Sequence, residues 1–125
     1  MKPGIKVAII EDDPSIVQMY QLKFTTEGYN VQTAGDGEAG LALIESYQPD
    51  VVLLDLMMPG MTGFEMLSKL RGTANGMHTK VIVLTNMGDT ETATRVFKMS
   101  ANDYIVKAEF TPMQVVERVR KLLAS

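Results

Sequence analysis

Val51-Val52-Leu53-Leu54-Asp55-Leu56-Met57-Met58-Pro59-Gly60 decides the fold of this chain. Four branched apolar residues run straight into an acid. The run is too short for a helix and reads as a strand buried on both faces. Asp55 falls at the carboxyl end of that strand, and Met58-Pro59-Gly60 turns the chain away. In open parallel sheets the carboxyl edge is where ligands and chemistry collect. A lone carboxylate there proves little, so the weight falls on what else reaches that edge.

Upstream, Ile5 to Ile10 is a short apolar run, broken by Lys6 and followed by Glu11-Asp12. Asp13-Pro14 opens a helix, with Asp13 as cap and Pro14 at the first helical position. Ile16, Tyr20 and Phe24 share one face of it, and Gly28 closes it. Asn30 to Ala34 reads as a short, more polar strand near an edge. Asp36-Gly37 starts a second helix to about Tyr47, with Gly40, Leu43, Ile44 and Tyr47 inward. Downstream, a third helix from about Gly63 to Arg71 packs Phe64, Leu67 and Leu70, and Gly72 to Thr79 is a loop. Lys80 to Leu84 is a fourth strand ending at Thr85, and Asp89 to Met99 a fourth helix. Asp103 to Val106 is a fifth strand ending at Lys107. Thr111-Pro112 opens a fifth helix with Val115, Val116, Val119, Leu122 and Leu123 on one face.

Strands that alternate with helices give a parallel sheet covered on both faces. Right-handed crossovers and one reversal of direction make it a doubly wound three-layer α/β sandwich, with strand order 2-1-3-4-5 expected. The length of 125 residues fits one domain, residues 1–125, with no output domain. Apolar residues make up 46% and charged residues 22%, enough for a substantial core. A net charge of -3 argues against a nucleic-acid surface. There is no cysteine, and His78 is the single histidine, which excludes thiolate and histidine-cluster metal sites. Met1-Lys2-Pro3-Gly4 carries no apolar signal core and no run approaches membrane-spanning length, so the cytoplasm is expected.

The strand ends then matter. The first delivers Glu11 and Asp12, the third Asp55, the fourth Thr85 and the fifth Lys107. With the first and third strands adjacent at the switch point, three carboxylates share one cleft. Two carboxylates about 4 Å apart repel by roughly 4 kcal/mol at an effective dielectric of 20. A hard divalent cation with oxygen ligands offsets that, and Lys107 adds a further positive charge. Such a pocket suits acceptance of a phosphoryl group by a nucleophilic carboxylate.

These residues in order resemble the receiver domain of two-component response regulators. The resemblance rests on Glu11-Asp12, on Asp55-Leu56-Met57-Met58-Pro59-Gly60-Met61-Thr62-Gly63, on Thr85, and on Tyr104-Ile105-Val106-Lys107, and it spans essentially the whole chain. A member of that family is a standard instance of the 2-1-3-4-5 order, so the topology and the resemblance are not independent. The resemblance implies that Asp55 accepts a phosphoryl group from a phosphohistidine on a sensor histidine kinase or phosphotransfer protein. Asp12 and Asp55 would ligate Mg²⁺ (or Mn²⁺) directly, Glu11 through water, and Met57 through its main-chain carbonyl. Thr85 and Lys107 would bind phosphoryl oxygens. On phosphorylation Thr85 would move toward the acceptor and the Tyr104 ring would turn inward, reshaping the surface of the fourth helix, fifth strand and fifth helix for a downstream partner or output. Such a protein is a switch that catalyses only its own phosphorylation and dephosphorylation, not a turnover enzyme. It would bind no nucleic acid or membrane itself, and would be a monomer, or a dimer when phosphorylated.

Two positions depart from the family pattern. Lys107 is followed by Ala108 where receivers usually carry Pro, so the loop is either trans or strained. Thr85 is followed by Asn86 instead of a small residue, and Met57 stands two past the acceptor; both side chains could shield the site. Asp13, Asp36 and Asp89 read as helix caps, and Tyr104 fits a half-buried strand aromatic nearly as well as a switch. Ten methionines read as core filler or as a soft adaptable surface, the latter near Met87, Met99 and Met113.

Rival chemistries lack their residues. A dehalogenase-type phosphatase wants a second Asp where Met57 stands. A flavodoxin wants a Ser/Thr/Gly-rich phosphate loop where Glu11, Asp12 and Asp13 stand, and no Gly-rich loop with Lys-Ser/Thr exists. The serious alternative is a receiver-like interaction scaffold that is never phosphorylated. The residue beside the switch hydroxyl offers one check: Asn86→Ala is expected to change the lifetime of the phosphorylated state, measured as the decay of phosphoprotein after donor removal.

Overall fold

The computed structural model describes residues 4–124; Met1, Lys2, Pro3 and Ser125 lie outside the described residues. In chain order the elements are β1 (Lys6–Ile10), α1 (Pro14–Thr26), β2 (Asn30–Ala34), α2 (Gly37–Tyr47), β3 (Val51–Leu54), α3 (Gly63–Arg71), β4 (Val81–Thr85), α4 (Thr90–Lys98), β5 (Asp103–Val106) and α5 (Pro112–Ala124). One parallel sheet runs β2-β1-β3-β4-β5, the order expected from the sequence. A single 3₁₀ turn at Lys107–Glu109, which the sequence pattern did not signal, joins β5 to α5.

Alternation along the strands assigns each residue to one of two cores. Val52 and Leu54 face Ile44 of α2, Met66 and Leu67 of α3 and Val96 of α4. Val51 and Leu53 face Tyr20 and Phe24 of α1 and Val115, Val116 and Val119 of α5. The central strand is therefore apolar at every position because both its faces are covered. β2, at the sheet edge, is only partly buried, which is why its sequence is polar.

The helix starts follow local chemistry. Asp13 accepts from the Ser15 and Ile16 amides, Asp36 from the Ala39 amide and Asp89 from the Thr92 amide, each as a cap. Thr62 and Glu65 form a reciprocal capping box at the start of α3, with Thr62 Oγ1 accepting from the Glu65 amide and Glu65 accepting from the Thr62 amide. Arg71 at the end of α3 clasps the following loop: its guanidinium donates to the carbonyls of Gly76, Thr79 and Ser100.

Gly63 sets how close α3 comes to β3. Its amide donates to the Leu56 carbonyl at 3.0 Å. A Cβ at this position would lie 2.4 Å from the Asp55 carbonyl oxygen and 2.6 Å from Leu56 Cα, both main-chain atoms that cannot swing aside. Gly63→Ala is therefore expected to lower the unfolding free energy by about 1–3 kcal/mol, the usual range for overpacking, checked by urea denaturation against wild type.

Candidate functional site

The parallel register builds the site. Ile10 pairs with Leu54, and the Asp55 amide donates to the Ile10 carbonyl at 3.0 Å, so the ladder carries Glu11 and Asp55 out of the sheet side by side. Thr85 pairs with Val106 across β4 and β5, which puts Lys107 one step beyond the neighbouring strand end. Glu11, Asp12 and Asp55 each offer a carboxylate oxygen, and these oxygens lie within 4.8 Å of one another.

The three acids are not equivalent. Glu11 and Asp55 are buried, 4% and 6% exposed, while Asp12 sits open at the lip of the pocket. Lys107 compensates them. Its ammonium is bonded to Glu11 Oε1 and lies 3.5 Å from Asp55 Oδ1. Glu11 Oε2 also accepts from the Asp13 amide at 3.2 Å. Asp55 Oδ1 accepts from the Met57 amide at 3.3 Å, which turns the chain sharply after the acceptor. The Met57 side chain projects outward and is 62% exposed. Thr85 is fully buried, and its hydroxyl oxygen accepts from the Met87 amide at 3.2 Å. Asn86 is exposed beside it.

Glu11, Asp12, Asp55 and Lys107 come together in one pocket; Thr85, Asn86 and Met57 rim the same sheet edge. The peptide after Lys107 is trans, since the described residues contain no cis bond, and Ala108 lies within the 3₁₀ turn. Tyr104 packs against the core between the sheet and α2–α4. Its hydroxyl is already enclosed and has no hydrogen-bond partner among the described residues. Burial pushes the Tyr104 phenol up from its ordinary value, with the charges of Asp89 and Glu109 adding to the push. The sequence reading missed the Glu11–Lys107 ion pair. Its one signal is the length of the glutamate, whose extra methylene lets it reach across the pocket.

Desolvation at the lip pushes the Asp12 carboxyl up from its ordinary value, the neighbouring Glu11 side chain pushes it further, and Lys107 opposes. Three oxygen donors with one lysine among them match the hard-cation, oxygen-ligand chemistry of Mg²⁺, which holds one or two carboxylates and keeps several waters.

The fold and the acidic pocket together are those of the response-regulator receiver class. The family described as response regulator receiver domain matches residues 7–120, and the chain belongs to it. Among curated relatives it is 36% identical over 118 residues to the DNA-binding dual master transcriptional regulator RpaA of Synechocystis sp., covering 94% of this chain and 48% of that protein. It is 34% identical to the DNA-binding response regulator MtrA of Mycolicibacterium smegmatis, covering 94% of this chain and 50% of that protein. The chain thus spans about half the length of these relatives. Among solved structures it resembles the chemotaxis protein CheY4 of Vibrio cholerae, with a TM-score of 0.88 and 31% identity over 94% of this chain and 97% of that one. It also resembles the receiver domain of the Francisella response regulator 1452, with a TM-score of 0.88 and 32% identity over 98% of both. Receiver domains bind Mg²⁺ at an acidic pocket, and the acidic group here fits that use. Among the described residues, no helix is long and apolar enough to cross a membrane.

Because the folded state raises the Asp12 pKa, its ionised form opposes folding. That destabilisation is absent while Asp12 is protonated and appears as pH rises through the raised value. At neutral pH, without divalent metal, Asp12→Asn is expected to raise the midpoint of thermal unfolding slightly. It is also expected to shrink the further rise that Mg²⁺ produces in wild type, both read by circular dichroism melts.

Proposed function

We propose that Asp55 is the phosphoacceptor of a signalling switch. Its carboxylate oxygen attacks the phosphorus of a phosphohistidine on a sensor histidine kinase or phosphotransfer protein. The new bond is Asp55 Oδ–P, the P–N bond breaks, and the imidazole leaves with that electron pair. The observation that carries this reading is the buried Asp55 carboxylate grouped with Glu11 and Asp12 and faced by Lys107 at 3.5 Å.

Mg²⁺, or Mn²⁺, would be held by Asp12, Asp55 and the Met57 carbonyl, with Glu11 through water, and would supply neutralising charge for the phosphoryl oxygens. Lys107 binds a phosphoryl oxygen by leaving its place beside Glu11, and the Thr85 hydroxyl binds another by turning from the Met87 amide. Asn86 and Met57 stand where water reaches the acyl phosphate and set how long it lasts. The phosphoryl group adds a charge of about -1.5 to -2. Movement of Thr85 then repacks Tyr104 and alters the α4–β5–α5 surface for a partner or output. The curated relatives named above are DNA-binding regulators about twice as long. In a protein of that plan this domain would act on an attached output and would not touch DNA itself. The cytoplasm, where histidine kinases present their phosphohistidine, is the compartment that suits this chemistry.

Incubation with acetyl phosphate and Mg²⁺, read by intact mass, is expected to add one phosphoryl group to wild type. Asp55→Asn should gain none, and chelation of the metal should abolish the gain. A wild-type chain that gains nothing under these conditions is a binding scaffold, and the phosphoacceptor reading fails.

A further inference from the structure

α4 is lightly held. Of its nine residues only Thr92 and Val96 are buried. The Thr92 hydroxyl is spent within the helix's own start, donating to the Asp89 carboxylate at 2.8 Å. Val96 alone enters the core. Two more side chains grip the flanking elements. Phe97, half exposed, leans on Tyr104 of β5 with ring centroids 6.4 Å apart. Arg95, two residues earlier, reaches the other way and lays its guanidinium 3.8 Å from the centroid of the Phe64 ring. At that distance a guanidinium over an aromatic face is held by the ring quadrupole.

Phe64 is tied to the acceptor. It is the second residue of α3, directly after Gly63. Gly63 donates to the Leu56 carbonyl and packs so tightly on the Asp55 main chain that no Cβ fits between them. Any shift of the chain at Asp55 and Leu56 is therefore passed to the start of α3 and to the Phe64 ring. From there it meets α4 through Arg95. This line of contacts runs on the α3 side of the molecule, apart from Thr85 and Tyr104 on the β4–β5 side.

We propose that the Arg95–Phe64 stack is a latch that holds α4 in the packing described here and couples that helix to the acceptor loop. The proposal rests on Asp55 being the phosphoacceptor. A contact biases a switch only if it differs in strength between the two packings. By linkage, a latch that favours one packing over the other changes phosphoryl binding by the same factor. A part-exposed cation–π contact is worth a factor of about two to five in an equilibrium.

The test uses the full chain as wild type, Arg95→Ala, Phe64→Leu and the double variant. Leucine keeps an apolar side chain against the core while removing the ring. Beryllofluoride with Mg²⁺ serves as the phosphoryl mimic, and its apparent affinity is read by ¹⁹F NMR titration. Amide hydrogen exchange of residues 90–98 is followed in the unmodified state. Each single variant is expected to change its affinity for beryllofluoride about two- to fivefold, both in the same direction, the factor of a released cation–π contact, and to exchange α4 amides faster. The double variant should go no further than either single, because both break one contact. Unchanged affinity in the single variants overturns the latch, and so do additive effects in the double. A lowered melting midpoint without a change of affinity also overturns it, since that shows a merely structural role. A wild-type chain that binds no beryllofluoride overturns the phosphoacceptor reading itself, and the latch with it.

Discussion

Like charges forced together at one sheet edge are the constraint on which the rest of this molecule depends. Parallel pairing of β1 with β3 leaves Glu11 and Asp55 no choice but to emerge as neighbours, with Asp12 beside them. A chain selected only for stability would not keep three carboxylates within 4.8 Å of one another. The fold tolerates them because two apolar layers sandwich the sheet below. Every β3 residue from Val51 to Leu54 is almost fully buried, so the strand ends cannot splay to relieve the repulsion. The strain is met by charge instead, through Lys107.

Lys107 sets one positive charge between two buried acids. Its ammonium is closer to Glu11 than to Asp55. Under the proposed function, a cation that took over the neutralisation of Glu11 would free the lysine for an incoming anionic group. The trans 3₁₀ turn at Lys107–Glu109 positions the side chain for this without a proline. The departure at Ala108 is therefore absorbed by local helical geometry.

What could be read from the sequence was local, or followed from the layered architecture. Asp13 with Pro14, Asp36 with Gly37, and the bounds of α2, α3 and β5 are set by neighbours within a few residues, and the structure has them where the pattern put them. The apolar run of β3 announces burial on both faces, and that alone places Asp55 at the active edge. Distant partners left no such mark. Glu11 and Lys107 are 96 residues apart, and nothing in either neighbourhood names the other. Arg71 reads as an ordinary last-turn cation, yet it donates to Ser100 across 29 residues. The sequence pattern turns Phe64 inward on α3 and gives no sign of Met66, yet Met66 is fully buried and Phe64 only partly so; a helix lying over the central strands buries a wider arc than a three-and-four spacing shows. That half-exposure leaves the Phe64 ring face free for Arg95.

Tyr104 shows why the packing around α4 is poised. The expectation of a ring that turns inward on phosphorylation meets a ring whose hydroxyl is enclosed from the start, with nothing to bond to. A buried, unpaired hydroxyl costs about 1–3 kcal/mol. That cost destabilises the packing on the β5 side of α4, while Arg95 on Phe64 stabilises it on the α3 side. Opposed terms thus act on the two flanks of one lightly buried helix. Under the proposed function, a charge change at Asp55 would act on that balance, and a sheet buried on both faces would keep the pocket in register.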